Sequence, residues 1–133
     1  MPEFEVRSFD DPDERRPFAA RGWADVIDVG GRPVARSVYE PGWKWSVDVK
    51  PNVGTDSCEI FHLGYVISGR IKVTMDNGAE AEAGPGDVVS IPPGHSGEVV
   101  GDEPCVWVDF GDVAGYAKPG SQAANAGPHR SVR

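Results

Sequence analysis

Short segments in which apolar and polar residues alternate run through much of the chain. In the segment 70–75, Ile71, Val73 and Met75 alternate with polar residues, which is the pattern of a strand with one buried face. The segment 43–50 alternates in the same way from Trp43 to Lys50. The pattern predicts a β-strand in both segments. About ten short strands of this kind, with turns roughly every eight to twelve residues, indicate an all-β sandwich or barrel.

Glycine and proline mark the turns between these strands. Gly30-Gly31 separates two β-prone runs, and Asp76-Asn77-Gly78 lies between two more. Both sequences favour β-hairpins because their residues accept the positive φ angles of tight turns. In the stretch 84–95, a Gly-Pro-Gly turn and a Pro-Pro-Gly turn flank a short apolar strand at 87–91. We expect this strand to be held at both ends, with His95 placed just after the second turn.

The two ends of the chain read differently from its centre. At 10–16, Asp residues precede Pro12 and further acids follow, so we expect a short N-terminal helical turn. Residues 111–133 are rich in Gly, Ala, Ser and Pro and have no periodicity, which predicts a flexible C-terminal tail. The remaining residues, 1–110, are expected to form a single domain.

Charge and composition exclude several classes of partner. The 133 residues carry 21 acidic and 13 basic side chains, a formal net charge of −8, so binding to nucleic acid or to an anionic membrane is not expected. The start of the chain lacks the basic and apolar pattern of a signal peptide, and we expect a cytoplasmic protein. In that reducing compartment both cysteines, Cys58 and Cys105, are expected to be thiols.

The stretches 56–69 and 84–95 resemble the two motifs of the cupins. Gly86, five residues, Pro92 and Gly94 are similar to the second motif, and the run 65–69 is similar to the hydrophobic end of the first. The resemblance covers roughly residues 40–110. It implies a cupin-type double-stranded β-helix, or jelly-roll barrel.

The resemblance also implies which positions would hold a metal. With Gly69 as the closing glycine of the first motif, the glutamate position falls on His62 and the two histidine positions fall on Cys58 and Asp56. The histidine position of the second motif falls on Gly97, and His95 is the nearest histidine. Each usual ligand of the family is therefore replaced in this chain.

Strand periodicity independently groups the same residues. If 56–62 is one continuous strand, Asp56, Cys58 and His62 lie on one face, because side chains alternate with a period of two. Carboxylate, thiolate and imidazole together suit Zn²⁺ or a comparable transition metal such as Fe²⁺ or Mn²⁺ rather than Mg²⁺ or Ca²⁺. We therefore predict that any metal is held by Asp56, Cys58 and His62, with His95 assisting.

Two functions remain open on the sequence. One is a non-catalytic module that binds a small molecule at the barrel mouth, against Trp43, Trp45, Tyr65 and His95. The other is a metal-dependent enzyme of the dioxygenase or isomerase type, as the resemblance to cupin enzymes implies. The substituted ligand set favours the first. Small cupins commonly form dimers by extending a sheet, so a homodimer that uses the edges of the N-terminal hairpin is expected.

The inward face of the strand at 104–110 is also left open. Val106, Val108 and Phe110 form one face and are the more natural core set. Cys105, Trp107 and Asp109 form the other. If the second face points inward, Asp109 is a buried carboxylate and a candidate site residue.

Overall fold

A computed structural model describes residues 3–117, which form two antiparallel sheets around a shared core. The strands are β1 (Glu14–Pro17), β2 (Gly22–Val29), β3 (Arg32–Tyr39), β4 (His62–Ser68), β5 (Ile71–Met75), β6 (Glu80–Ala83), β7 (Val88–Ile91), β8 (His95–Val99) and β9 (Cys105–Asp109). The helical elements are α1 (Trp45–Asp48), α2 (Lys50–Val53) and a 3₁₀ turn at Val113–Gly115. The all-β class predicted from the sequence is confirmed.

The larger sheet has the order β1-β2-β3-β9-β4-β7, and the smaller has the order β6-β5-β8. The hairpin at Gly30-Gly31 joins β2 to β3, and the hairpin at 76–78 joins β5 to β6, as predicted. Among the residues described, no helix is long and apolar enough to cross a membrane.

The strand predicted at 43–50 is wrong, because this segment turns into the two short helices. Trp45, Val49 and Val53 are fully buried, whereas Val47 is half exposed. Spacings of four residues place the three buried side chains on one helical face. Asp48 stabilises the first turn, since its Oδ2 accepts a hydrogen bond from the Lys44 N–H at 2.9 Å. The sequence contains both this helical spacing and the strand-like alternation at 43–50, and the alternation led to the wrong prediction.

The helical turn predicted at 10–16 is also wrong. A turn at 9–10 and bends at 11 and 13 precede β1, which pairs antiparallel with β2. Arg15 contributes to this pairing through a two-pronged hydrogen bond to the buried carboxylate of Asp25, at 2.7 and 3.0 Å. Tertiary pairing outweighs the local capping pattern here, since helix propensity is a weak preference.

The first part of the predicted tail packs into the core. Val113, Tyr116 and Ala117 are buried, and the Arg16 guanidinium donates to the carbonyls of Val113 and Tyr116 at 2.6 and 2.8 Å. The prediction of a flexible tail is therefore wrong for residues 111–117. Its remainder, 118–133, lies outside the described residues.

The face of β9 that carries Cys105, Trp107 and Asp109 points into the core. Cys105, Trp107 and Asp109 are buried, whereas Phe110 is more than half exposed. The aliphatic set that we judged the more natural core faces outward. The packing of Trp107 explains this choice, because its ring lies against the backbone of Gly64 on the neighbouring strand β4.

Candidate metal centre

One thiol and two imidazoles converge in the middle of the barrel. The potential ligand atoms of Cys58, His62 and His95 all lie within 4.8 Å of one another. Cys58 Sγ is 3.6 Å from His62 Nε2. All three side chains are at least 95% buried. Such a cluster is compact enough for the three groups to ligate one ion.

Backbone pairing brings the three residues together. Cys58 forms an isolated antiparallel bridge with His95, in which the Cys58 N–H donates to the His95 carbonyl at 2.6 Å. His62 opens β4 and lies opposite Ile91 of β7. The cluster therefore joins the segment before β4, the start of β4 and the start of β8.

Asp109 fixes the orientation of His62. Its Oδ2 lies 2.6 Å from His62 Nδ1, and its Oδ1 accepts hydrogen bonds from the N–H groups of Leu63 and Gly111 at 3.3 and 2.8 Å. Burial alone would lower the pKa of His62, but the Asp109 carboxylate, with a smaller effect from Cys58, raises that pKa to about 10. The carboxylate thus holds the proton on Nδ1 and leaves Nε2 directed at Cys58.

The Cys58 thiol is activated by its neighbours. Burial alone would raise its pKa, but hydrogen bonds and charge from His62 and His95 lower that pKa to about 6. Cys105 has no such partners among the causes that shift it, and burial raises its pKa to about 11. The thiolate is the form of cysteine that binds metals, and Cys58 is therefore the better ligand of the two.

His95 lies two residues before Gly97, the position at which the second motif has its histidine. Both residues lie on β8 with one residue between them, so they share a face, and both line the central cavity. His95 Nδ1 lies 2.7 Å from the Pro92 carbonyl, which can only accept a hydrogen bond, so Nδ1 carries the proton and Nε2 is the free ligand atom. A histidine two residues earlier on the same face thus replaces the one expected at 97.

The central cavity is small. Its volume is about 20 Å³, room for one or two small species, since a water needs about 10–15 Å³. Trp43 and Trp45 line it, and their buried indole N–H groups have no hydrogen-bond partner among the residues described. The cavity therefore offers three metal-ligating side chains, beside two tryptophans whose indole N–H groups are unpartnered among the residues described.

A network of phenols, which the sequence analysis missed, lines another side of the cavity. Tyr39 and Tyr116 share a hydrogen bond of 2.9 Å between their hydroxyls, and Trp107 Nε1 donates to Tyr39 at 2.9 Å. The ring of Tyr116 meets that of His62 edge-on at 5.0 Å. Tyr116 was missed because it lies in the segment interpreted as a tail.

Two of the predicted site residues lie outside this cluster. The side chain of Asp56 is fully exposed and pairs with Lys50 at 3.6 Å. The segment 56–61 is not a continuous strand, so the parity that grouped Asp56 with Cys58 and His62 is wrong. Tyr65 is 45% exposed on the outer face of β4, and the predicted ligand contacts of Trp43 and Trp45 fall in a cavity too small for an organic molecule.

The geometry permits two kinds of chemistry. Cys58, His62 and Asp109 form a thiol–imidazole–carboxylate chain of the kind that activates a nucleophile. The addition of His95 makes a three-ligand set with a carboxylate behind one histidine, as in many metal sites. A nucleophilic chain needs a single imidazole base, and the second converging histidine therefore favours the metal.

Comparison with known proteins agrees with the fold. The family model of the cupin domain matches residues 55–111. An RmlC-like cupin from Shewanella frigidimarina is 16% identical, with a TM-score of 0.57, 86% of this chain covered and 96% of that one. The polyketide cyclase RemF from Streptomyces resistomycificus is 20% identical, with a TM-score of 0.57 and coverages of 82% and 79%.

A third structure, oxalate decarboxylase from B. subtilis, is 19% identical with a TM-score of 0.56, and the match covers 85% of this chain and 32% of that one. A search of curated proteins gives no match. At these identities the structural likeness concerns the fold. The cupin-type double-stranded β-helix expected from the two motifs is confirmed.

Proposed function

Because residues 55–111 match the cupin domain and the chain has the cupin-type fold, we propose that it is a metal-dependent enzyme for a small organic substrate. Cys58, His62 and His95 hold one divalent transition metal in this proposal. The observation that carries it is the convergence of three buried ligand atoms within 4.8 Å. Burying a thiolate and imidazoles together is costly unless they are paired or coordinate a metal.

The donor set fits a borderline transition metal. One sulfur and two nitrogen ligands suit Zn²⁺, Fe²⁺ or Mn²⁺ in decreasing order of the preference for sulfur, and do not suit Mg²⁺ or Ca²⁺. Three protein ligands are the number found at catalytic zinc sites, where a fourth position stays open. The hydrogen bond from His62 to Asp109 supplies the outer-shell carboxylate that such sites use to orient a histidine.

A bound metal would supply Lewis-acid chemistry, polarising an oxygen of the substrate or of a water. The remaining contributions come from the chain. Asp109 keeps the His62 proton on Nδ1, and the Pro92 carbonyl does the same for His95. Trp43 and Trp45 line the cavity and have buried indole N–H groups without a partner among the residues described, and in this proposal they donate to an oxygen of the bound molecule. The apolar walls exclude bulk water and so strengthen these interactions.

A second candidate is a small-molecule-binding module without catalysis. The central cavity has a volume of about 20 Å³, so an organic molecule cannot lie beside the metal ligands without movement of the surrounding walls. A molecule bound elsewhere on the protein would not reach the metal, and this supports binding without catalysis. The two candidates differ in whether the metal-loaded protein transforms what it binds. Two of the solved structures with this fold are named as enzymes, a polyketide cyclase and an oxalate decarboxylase. They support an enzymatic function but no particular reaction.

The metal proposal is tested by elemental analysis of protein purified without chelator, and again after reloading with Zn²⁺, Fe²⁺ or Mn²⁺. We expect one ion per chain, and its loss in Cys58→Ala, His62→Ala and His95→Ala. Cys105→Ala and Asp56→Ala are matched controls that should keep the ion, the second because Asp56 points to solvent. Reloading with Co²⁺ should add a thiolate-to-metal absorption band that disappears in Cys58→Ala.

Two results would refute the metal centre. One is a parent protein that takes up no ion from any of the three salts. The other is a stoichiometric ion that survives all three ligand substitutions. If the parent binds no metal and Cys58 instead reacts with one equivalent of an alkylating agent in a manner that depends on His62, the thiol–imidazole–carboxylate chain is the better explanation.

We also propose that the protein is a homodimer, through a different surface from the one expected. The N-terminal hairpin has no free edge, because β2 pairs with β1 and β3 pairs with β9. The outer face of β4 and β7 instead exposes Leu63, Tyr65, Ile67 and Val88 by 39–70%. Neighbouring exposed apolar side chains of this kind mark interaction surfaces. We call these four residues the outer apolar face.

A further inference from the structure

A groove opens between the two sheets, where β6 and β7 form the edges. Its volume is about 450 Å³, within the range of roughly 300–1,000 Å³ that is typical of small-molecule sites. We call it the β6–β7 groove. Its walls are mainly apolar, and the apolar lining consists of Val73, Met75, Ala79, Ala81, Ala83, Val89, Ile91 and Pro92, together with Val88, which the groove shares with the outer apolar face.

A row of alanines opens this groove. Ala81 lies directly opposite Val73 in the β5–β6 pair, so the two side chains point to the same, inner side of the sheet. Val73 is buried, yet Ala81 is exposed. The inner side of β6 is therefore uncovered. Larger aliphatic side chains at 79 and 81 would fill this space, and the sequence Ala79-Glu80-Ala81-Glu82-Ala83 puts a methyl group at each inward position instead.

The groove ends against the metal ligands. Ile91 of β7 lies directly opposite His62 of β4, and Met75 of β5 lies directly opposite His95 of β8. Side chains at such opposed positions have Cβ atoms about 4.5–5.5 Å apart. Val73 and Ile91 line both the groove and the central cavity. A molecule in the groove is thus separated from the cluster by two aliphatic side chains.

The charges of the groove select against anions. Of the described residues that line it, the three charged ones, Glu80, Glu82 and Asp87, are all acidic. Glu80 and Glu82 alternate with the inward alanines of β6, so their side chains point to the other side of the sheet, where they pair with Lys72 at 3.7 Å and Arg70 at 3.4 Å. Neither cation lines the groove, and no described residue that lines it is basic. A bound anion would therefore have no cationic partner there, whereas an apolar molecule without negative charge complements the walls.

We propose that the β6–β7 groove binds an apolar molecule that is uncharged or cationic, with one end at Val73 and Ile91. The role of this molecule as a substrate rests on the proposed metal centre; its binding does not. The route from the groove to the ligands passes between those two side chains. Movement of aliphatic side chains is a smaller rearrangement than opening the central cavity, which is enclosed by three tryptophans and two tyrosines.

The test uses the full chain and 2-aminoanthracene, an uncharged aromatic probe near neutral pH, followed by fluorescence titration. The anionic comparison probe is anthracene-2-carboxylate. We expect the amine to bind at least about tenfold more tightly than the carboxylate, a difference of about 1.4 kcal/mol. Ala81→Phe should weaken amine binding by about tenfold or more, because the ring fills the groove. Ala20→Phe, at an exposed position outside the groove, should leave it unchanged.

Ala81→Val, a smaller change that suits a strand, replaces the phenylalanine variant if the latter does not fold by circular dichroism. Equal binding of both probes, or equal binding by the parent and the folded Ala81 variant, would overturn the proposal. The titration is run on chelator-treated and zinc-loaded protein. Probe binding without metal uptake supports the groove and refutes the metal centre, whereas metal uptake without probe binding does the reverse.

Discussion

The Asp109 carboxylate lies behind the His62 imidazole, with 2.6 Å between Oδ2 and Nδ1, and both side chains are buried. The contact determines which nitrogen of His62 faces Cys58. It also explains how a chain without the usual cupin ligand set still places an imidazole nitrogen in the cavity. The chemistry proposed for the site therefore depends on a residue that does not itself belong to the ligand cluster.

Replacing Asp109 with asparagine should weaken metal binding. The variant loses the negative charge that fixes His62, and loss of an outer-shell partner typically costs about 10- to 100-fold in affinity. Zinc competition with a chromogenic chelator measures the effect. Asp102→Asn, at an exposed carboxylate on a loop, is the control. Unchanged zinc affinity in Asp109→Asn would remove the carboxylate from the site.

The two cysteines should titrate far apart in the metal-free protein. The pKa of Cys58 is lowered to about 6 and that of Cys105 is raised to about 11. At pH 8 we therefore expect one thiolate per chain by ultraviolet absorbance. That thiolate should persist in Cys105→Ser and vanish in Cys58→Ser. Two thiolates or none at pH 8 would contradict the assignment.

His62 and Cys58 together set a pH window for the stability of the metal-free protein. The raised pKa of His62 contributes stability that is full below about 6.5 and is lost as the pH rises through about 10. The lowered pKa of Cys58 contributes stability that is full above about 9 and is lost as the pH falls through about 6.

Between about pH 6.5 and 9 the two slopes oppose each other, so urea midpoints should change little there and fall on either side. The double variant Cys58→Ala/His62→Ala should lose this shape relative to the parent. A parent profile that matches that of the double variant would show that the pair does not stabilise the fold.

Gly64→Ala should destabilise the protein. A methyl group at this position would overlap the indole ring of Trp107, which packs on the Gly64 backbone. Overpacking of a core typically costs about 1–3 kcal/mol, measured as a shift of the urea midpoint. Gly97→Ala is a matched control on a strand, because its methyl group would come no nearer than 3.5 Å to Lys72 or Trp43. Equal effects of the two substitutions would contradict this packing.

Tyr65→Glu should dissociate the proposed homodimer. The side chain lies in the middle of the outer apolar face, and Tyr65 pairs with Val88 and Val108 across the sheet. An unpaired carboxylate is unfavourable in free energy when it is buried in an interface, whereas water solvates it in the monomer. Light scattering should give a dimer for the parent and a monomer for the variant, with Lys44→Glu as a charge-altering control on another surface. A monomeric parent at high concentration would refute the dimer.

Local sequence predicted those features of the fold that local chemistry controls. The hairpins at Gly30-Gly31 and at 76–78 were correct because positive φ angles are required there, and glycine adopts them without strain. The alternation at 71–75 was correct because Ile71 and Val73 are buried and Met75 is partly buried on one face of β5. At 43–50 the same reasoning failed, since alternation and helical spacing coexist there and only the surrounding core selects between them.

The residues of the candidate site were also predicted only in part. The motif alignment and the parity argument identified Cys58 and His62, and His95 followed from the glycine-rich turn before it. Asp56 was grouped with them because strand parity assumes a continuous strand, and the bends at 55–57 break that continuity before Cys58. Asp109 was identified only as one of two alternatives, since alternation shows that two faces differ but does not show which one is inward.

By itself the sequence determined the all-β class, the hairpin turns, the cupin motifs and three side chains able to ligate a metal, because each depends on residues near one another in the chain. Tertiary structure alone decided that β9 faces inward with Asp109, that Tyr116 lines the cavity and that Asp56 faces solvent. Those outcomes depend on contacts between residues up to 100 positions apart, such as Arg16 with the Tyr116 carbonyl. The free energy of such contacts comes from packing and desolvation, which no local pattern encodes.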